Sequence, residues 1–241
     1  MKSHYLLIDS STLPFSVAIS SEGKVIYEII STSENKLARD ITILIDEVCN
    51  QSEIKLSDLK AIAVAAGPGS YTGLRIGITS AKALCYVLNI PLIMIGNDEA
   101  LYRAVVANTK FSEGEEYLIS TMIEARRQEV YATVYNTKGE ELIPLQPLIF
   151  PEDLSLQQVF NSNAVYILAG DGAGKILPYF SDRKVTLSTV KQQAGHLAPL
   201  AVERYNSGQF ENLSTAAPIY LKPPNITTSK KVNLILKRPE K

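Results

Sequence analysis

The same order of strand-like and helix-like segments occurs twice along this chain of 241 residues. Each half begins with an apolar strand, continues with a hairpin, and then alternates helices with short apolar strands. In the first half the predicted strands span 5–8, 15–20, 24–30, 61–66 and 90–95, and the predicted helices span 35–50, 72–88 and 97–107. In the second half the predicted strands span 117–123, 129–135, 141–150 and 165–168, and the predicted helices span 151–160, 172–180 and 193–206. The repeat predicts a structural duplication.

The first strand of each half ends in an acidic residue, Asp9 in one and Glu124 in the other. Together with the repeated order, this predicts an α/β fold of two lobes, each built from a βββαβα unit, with a cleft between them. That arrangement is the actin-like, ribonuclease-H-like architecture. We expect an N-terminal lobe at 1–108, a C-terminal lobe at 109–222 and a basic tail at 223–241.

The end of the chain is rich in cations. Residues 222–241 contain one acid, Glu240, and six basic residues, namely Lys222, Lys230, Lys231, Lys237, Arg238 and Lys241. This composition is typical of a solvated chain terminus. A basic segment that helps to hold RNA or a partner protein fits the same composition, and the sequence leaves both interpretations open.

Charge and cysteine content limit the class of protein. The formal net charge is −1, so the chain lacks the basic balance of a free-standing RNA binder. Cys49 and Cys85 lie in helix-like segments without CxxC spacing and are expected to be small buried apolar residues in a reducing compartment. Asp9 interrupts the N-terminal apolar run, and no window approaches the ~18 apolar residues of a membrane span. We therefore expect a cytoplasmic protein.

A glycine-rich segment, GPGSYTGLR at 67–75, lies between a predicted strand and a predicted helix. Free amides at a helix start attract anions, so a phosphate loop is one interpretation. However, Thr72 stands at the third glycine of the dinucleotide fingerprint, and the Gly-Lys-Ser/Thr of a P-loop is missing. The segment AGDGAGK at 169–175 also departs from a P-loop, because Ala169 replaces its first glycine and Ile176 its metal-binding hydroxyl. The favoured interpretation of both segments is a structural turn.

Candidates for chemistry are few. Asp9, Ser10 and Ser11 stand where actin-like ATPases hold magnesium and phosphate, but no second carboxylate has metal-site spacing, so we interpret them as a degenerate phosphate loop. The two histidines, His4 and His196, fall in opposite halves, form no metal-ligand spacing and are the only possible bases for a Ser-His-Asp triad. We expect no catalytic residues, no metal and no cofactor.

The predicted helix 72–88 is apolar on nearly every face. Its apolar residues are Leu74, Ile76, Ile78, Ala81, Ala83, Leu84, Cys85 and Val87. A helix of this kind is buried on all sides, whereas one face of a helix in a two-layer lobe should meet water. The helix at 35–50 likewise places Ile43 off its main apolar stripe. This surplus of apolar helix surface favours a helix–helix interface with a second chain. The alternative is that other elements of the same chain bury this surface.

Four segments, in order, resemble the TsaB (YeaZ) family. They are Asp9-Ser10-Ser11, GPGSYTGLR at 67–75, EARRQEVY at 124–131 and PIYLK at 218–222. The resemblance covers nearly the whole chain. It departs from the family at four positions, where Glu124 replaces Asp, Gln128 replaces Gly, Lys222 replaces Arg, and Leu37 replaces a histidine common in the first long helix.

The resemblance implies a non-catalytic scaffold subunit, paralogous to the catalytic subunit TsaD, in the complex that makes N6-threonylcarbamoyladenosine in tRNA. TsaB pairs with TsaD through two helices of its N-terminal lobe, which form a helical bundle, and the ATPase TsaE joins them. The tRNA is reached only through the complex, and a homodimer through the same surface is a further expectation. By position, the implied partner-binding residues are Leu37, Ile41, Leu44, Leu74, Arg75, Ile78 and Lys82.

Two enzymatic interpretations stand against this one. The first is an active actin-like-fold ATPase or small-molecule kinase, in which Asp9, Ser10 and the turn at 67–73 hold the nucleotide. The second is a peptidase, suggested by an old name for the wider family. The lack of paired metal ligands and of an evident triad argues against the peptidase.

Overall fold

The computed structural model describes residues 2–32, 37–150, 163–180 and 184–222. Strands β1–β5 are His4–Asp9, Phe15–Ser21, Lys24–Ser31, Leu59–Gly67 and Leu92–Gly96. Strands β6–β10 are Tyr117–Glu124, Glu129–Asn136, Glu141–Ile149, Val165–Ala169 and Val185–Leu187. Helices α1–α5 are Leu37–Ser52, Tyr71–Leu88, Asn97–Asn108, Ala173–Ile176 and Ala198–Asn206, and short 3-10 helices occupy Leu56–Asp58, Leu177–Phe180 and Ala194–Leu197.

The described strands form two sheets with the same topology. The first sheet has the order β3-β2-β1-β4-β5, and the second, written in the corresponding direction, has the order β8-β7-β6-β9-β10. In each sheet the first three strands along the chain pair antiparallel, and the last two add in parallel. Because equivalent strands occupy equivalent places, the predicted duplication and the actin-like, ribonuclease-H-like fold are confirmed.

The two sheets are covered by helices from both halves of the chain. In the first sheet β1 and β4 are almost continuously apolar, as is typical of strands covered on both faces. Helices α1 and α2 pack on one face of this sheet. The 3-10 helix Ala194–Leu197 and α5, which lie near the far end of the chain, pack on the other. Helix α3 packs against β6, β7 and β9 of the second sheet. The lobe boundaries at 108 and 222 stay a prediction.

Some predicted elements differ in detail. Strand β10 was not predicted, because three residues are too few to show a period. The predicted helix 172–180 is α4 followed by a 3-10 turn, and the helix predicted at 193–206 begins as a 3-10 helix before Pro199 opens α5. The predicted helix 151–160 and the tail 223–241 lie outside the described residues. No helix in the described ranges is long and apolar enough to span a bilayer.

Candidate functional site

The glycine-rich segment forms a tight turn between β4 and α2. Gly67 has φ = +105°, a conformation that glycine adopts without steric strain. The Asn97 side chain brackets the turn, because its Oδ1 accepts from the Gly67 N–H at 3.1 Å and its Nδ2 donates to the Pro68 carbonyl at 3.0 Å. Ser70 caps α2 by accepting from the Gly73 N–H at 3.2 Å. The segment is therefore a capped helix start.

This turn packs directly on the residues that follow β1. The Ser70 N–H donates to the Ser11 carbonyl at 2.6 Å, and Ser10 Oγ donates to the Gly73 carbonyl at 2.8 Å. A Cβ on Gly69 would lie 2.6 Å from the Ser11 carbonyl oxygen, and a Cβ on Gly73 would overlap the carbonyl oxygen of Ser10. The glycines thus permit a close approach of two backbones, and the N–H groups of Ser70 and Gly73 bind within the chain.

Asp9 is buried beside this turn. Its Oδ1 accepts from the N–H of Ser11 at 3.0 Å and from Ser11 Oγ at 2.5 Å. Burial raises the pKa of Asp9; the Ser11 hydrogen bonds and His196 act in the opposite direction, and Glu28 adds to the rise. Burial also lowers the pKa of His196, against the effect of Asp9. The predicted Asp9, Ser10 and Ser11 are brought together, and all three are buried.

The equivalent acid of the second lobe, Glu124, is exposed and takes part in the contacts that stabilise the β6–β7 turn. Glu124 pairs with Lys175, and its N–H donates to Asp171 at 2.7 Å. Lys175 also donates to the carbonyls of Ala125 at 3.0 Å and Arg127 at 2.8 Å. Lys175 lies in α4 and holds the β6–β7 turn in place, and residues 170–172 connect β9 to this helix.

A cleft of about 910 Å³ lies between the lobes, lined by α3, α5, the β7–β8 turn and residues 211–219. Four charged side chains on its wall form two ion pairs, Arg204 with Glu99 and Arg103 with Glu203. At its base the buried Asp98 accepts from Tyr135 OH at 2.8 Å and Thr133 Oγ1 at 3.1 Å. Asp9, Ser10 and Ser11 do not line the cleft, and no group of three or more His, Cys, Asp or Glu in the described ranges could hold a metal ion.

Residues 211–222, which we call the strap, run from the region after α5 across the first lobe to the second. Three hydrogen bonds of 2.9 Å join the strap to that lobe, formed by the pairs Glu211–Leu92, Lys82–Ala216 and Ile219–Ala66. The strap ends at Lys222, which pairs with Glu129 on β7. It therefore covers one side of α2, so part of the apolar surplus of this helix is buried by the chain itself.

The seven predicted partner-binding residues differ in accessibility. Three of them face the first sheet and lie in its core, namely Ile41, Leu74 and Ile78. Leu37 and Leu44 are half-buried against the same core. Arg75 is exposed, and Lys82 is half-buried under the strap. The first three are buried by the chain's own elements, and the expectation that the seven residues bind a partner stays a prediction.

The outer face of α1 and α2 carries other apolar side chains. Ile43, Tyr86 and Val87 are 57%, 80% and 77% exposed. Exposed positions on α2 recur at 72, 75, 79, 83 and 86, the spacing of a single helix face. The sequence pattern indicated Ile43, but it placed Val87 among the buried residues and did not single out Tyr86. The polar and small residues at this spacing were the signal that could have identified the face.

Comparisons with known proteins establish the family. A family model described as "TsaD: tRNA N6-adenosine threonylcarbamoyltransferase" matches residues 25–215. A TsaB protein of Buchnera aphidicola (Schizaphis graminum) is 30% identical over 180 residues, which cover 71% of this chain and 80% of that protein. The chain belongs to the TsaB (YeaZ) family.

Further TsaB relatives support the same assignment. The Bacillus subtilis protein is 34% identical over 154 residues, 63% of this chain and 64% of that protein. The Haemophilus influenzae protein is 29% identical over 239 residues, 94% and 96% of the two chains. The structure of YeaZ from Pseudomonas aeruginosa matches with a TM-score of 0.75 and 26% identity, over 91% of this chain and 100% of the other. These TsaB relatives are named for tRNA threonylcarbamoyladenosine biosynthesis, and family membership places the chain in that process.

Proposed function

We propose that this chain is the non-catalytic scaffold subunit of the complex that makes N6-threonylcarbamoyladenosine in tRNA. It pairs with a TsaD-like catalytic subunit through the outer face of α1 and α2, and a TsaE-like ATPase works with the pair. The chain itself supplies no catalytic residue and needs no metal or cofactor.

The observation that carries the non-catalytic role is the closed packing around Asp9. In this fold a working phosphate site needs free donors and open space at the end of the first strand. Here Ser10 Oγ and the Ser70 N–H bind inside the chain, and Ser11 binds the Asp9 carboxylate. The first turn of α2 packs against the backbone of Ser10 and Ser11 so closely that a Cβ at Gly69 or Gly73 would clash, and this close packing supports a site without room for a phosphate.

The outer face of α1 and α2 supports a pairing role. It joins Ile43, Tyr86 and Val87 with the small exposed residues Thr79 and Ala83. Small residues let two helices approach closely, and large exposed apolar residues gain most from burial. The face is thus suited to a second pair of helices.

The similarity of this chain to TsaD proteins supports a TsaD-like protein as the partner that supplies the second pair of helices. The family model described for TsaD covers most of this chain, and a TsaD protein of Geotalea daltonii is 32% identical over 127 residues, 49% of this chain and 36% of that protein. Two paralogues that share a fold present equivalent helices, so they can pair about a pseudo-twofold axis. The same geometry allows a homodimer through the same face.

The test is size-exclusion chromatography and calorimetric titration of this chain with its TsaD-like partner. We expect a one-to-one complex that Val87→Glu weakens about tenfold or more, because an unpaired carboxylate would be buried. Leu142→Glu is the matched control, since Leu142 is also exposed but lies on β8 of the second lobe. Absence of a complex between the folded proteins, or an equal loss with both variants, would contradict the pairing.

A second titration tests the non-catalytic role. We expect the purified chain to show no tight binding of magnesium-ATP. Tight binding that is abolished by Asp9→Ala would favour the ATPase or kinase interpretation instead.

A further inference from the structure

A cluster of planar side chains lies at the start of α2. The Arg75 guanidinium lies 4.1 Å from the ring centre of Tyr71, and its Nε donates to the Tyr220 hydroxyl at 2.9 Å. The two tyrosine rings are 5.5 Å apart. We call Tyr71, Arg75 and Tyr220 the tyrosine–arginine stack.

The tyrosine–arginine stack is ordered and still open to solvent. Tyr71 and Tyr220 are 53% and 46% exposed. Tyr220 belongs to the strap, which is fixed by the backbone hydrogen bond from Ile219 to Ala66. Aromatic rings and guanidinium planes held in this way are the groups on which unpaired nucleic-acid bases stack, because every base has a planar face.

A cationic turn lies on the same surface. Arg126 and Arg127 are exposed between β6 and β7, and neither pairs with a carboxylate among the described residues. The two acids that flank this turn, Glu124 and Glu129, pair with Lys175 and Lys222. The turn therefore presents unbalanced positive charge, which attracts phosphates.

The strap brings the stack and the cationic turn together. Lys222 lies two residues after Tyr220, and its partner Glu129 lies two residues after Arg127. Two residues span at most about 7 Å of chain on each side of the ion pair, so the pair keeps the rings and the arginines in the same region of the surface. From here the chain continues into 223–241, whose sequence adds five cations and one acid.

We propose that the tyrosine–arginine stack and the β6–β7 turn form a binding surface for single-stranded RNA. A base stacks on the exposed rings, and Arg126 and Arg127 contact the neighbouring phosphates. The identification of tRNA as the natural source of that RNA rests on the proposed function. The chain then touches the RNA directly, in contrast to the expectation that tRNA is reached only through its partners.

Charge favours RNA over a protein as the occupant. The centres of protein interfaces are usually depleted of charged residues. Here Arg75 lies against the rings, and Arg126 and Arg127 are exposed in the same region. The acids that flank these two arginines are already paired with lysines. The apolar outer face near the end of α2, at Tyr86 and Val87, is the part of the helix that suits a protein.

The test is fluorescence anisotropy with a labelled anticodon stem-loop RNA, measured with the full chain alone and with its TsaD-like partner. The first variant is Arg126→Ala/Arg127→Asn, in which Asn tolerates the positive φ of position 127. Binding is expected to weaken about fivefold or more, and the slope of log K against log salt to fall by about 0.7 for each phosphate that the variant no longer neutralises. The control Lys24→Ala/Lys60→Ala removes the same charge from exposed positions at the opposite end of the first sheet and leaves the affinity unchanged.

A second pair of variants isolates stacking. Tyr71→Leu keeps an apolar side chain but removes the ring, and should weaken RNA binding about fivefold. Tyr71→Phe keeps the ring and should bind as the parent does. Thermal unfolding of each variant verifies that the fold is intact.

Three results would overturn the proposal. The parent chain, alone and with its partner, fails to bind the RNA at low salt; or the control loses as much affinity as the arginine variant; or the arginine and Tyr71 variants lose the TsaD-like partner while RNA binding is unchanged, which identifies a protein interface. Because RNA is titrated into the isolated chain as well, a failure of subunit pairing is seen separately from a failure of RNA binding.

Discussion

At the scale of single residues, the three positions at and just after the end of β1 show what the sequence could and could not predict about the candidate phosphate site. The sequence predicted that Asp9, Ser10 and Ser11 are a remnant, from the lack of a second carboxylate at a suitable spacing. It could not predict how they are closed off, because Ser10 and Gly73 are 63 positions apart and their hydrogen bond depends on how α2 lies on β1. Burial raises the pKa of Asp9 above its ordinary value of 3.8.

The raised pKa of Asp9 makes a pH-dependent prediction. Burial penalises the ionised form, so the contribution of Asp9 to the free energy of unfolding is complete below pH 3.8 and is lost as pH rises through its folded-state pKa. Asp9→Asn cannot ionise, and its Oδ1 can still accept from Ser11. The stability of Asp9→Asn relative to the parent should therefore increase between about pH 3, where Asp9 is mostly protonated in both the folded and the unfolded protein, and about pH 7, where it is ionised in the unfolded protein.

Urea denaturation at a series of pH values measures this difference. Asp46→Asn, at an exposed position on α1, controls for the loss of one negative charge. A difference between Asp9→Asn and the parent that is flat, or that shrinks as pH rises, would contradict the burial effect.

At the scale of elements, hydrophobic periodicity predicted most of the fold. Every predicted strand has its counterpart in the structure, and α1, α2 and α3 follow the predicted helices within two residues at each end. The direction in which α2 faces was not predicted, because its apolar residues occur on nearly every face and only the polar and small residues at 72, 75, 79 and 83 mark the exposed one. For that reason Leu74 and Ile78 were assigned to a partner although they lie in the core. The strap has no period either, and its contacts join distant parts of the chain.

The packing of α2 on the end of β1 predicts a strong effect of one methyl group. A Cβ added to Gly73 would overlap the Ser10 carbonyl oxygen, so α2 would have to move. We expect Gly73→Ala to lower the free energy of unfolding by about 2 kcal/mol or more, despite the better helix propensity of alanine.

Gly174→Ala is the matched control for this effect. A Cβ added there meets nothing within 4 Å, and Gly174 also lies in a helix, α4. This variant should be neutral or stabilising by about 0.5–1 kcal/mol. Both changes are measured by urea denaturation, and equal effects at the two glycines would show that α2 does not depend on this close contact.

At the scale of the whole molecule, the lobes interlock. Helix α3 from the first half of the sequence packs on the second sheet, and α5 from the second half packs on the first. Tyr135 on β7 donates to Asp98 at the start of α3, and Tyr102 on α3 donates to the Asn136 carbonyl. The duplicated order of elements predicted two lobes, but it could not predict this exchange of helices, which depends on contacts between distant segments.

The Tyr135–Asp98 hydrogen bond predicts coupling between the lobes. Burial and the nearby Asp98 carboxylate raise the pKa of Tyr135, so it stays protonated and donates. Tyr135→Phe leaves a buried carboxylate with one donor fewer and should lower the free energy of unfolding by about 1–3 kcal/mol. Tyr131→Phe is the control on the same strand, because the Tyr131 hydroxyl makes no hydrogen bond to any described residue. Equal unfolding midpoints in urea for the two variants would refute the coupling.

The packing of Ala194–Leu197 and α5 on the first sheet has a consequence for synthesis. On the ribosome, β1 to β5 emerge long before the residues that cover one of their faces, so the nascent sheet presents Tyr5, Leu7 and Ile93 to water in the meantime. That face of the first sheet can thus be covered only after residues 194–206 have been synthesised.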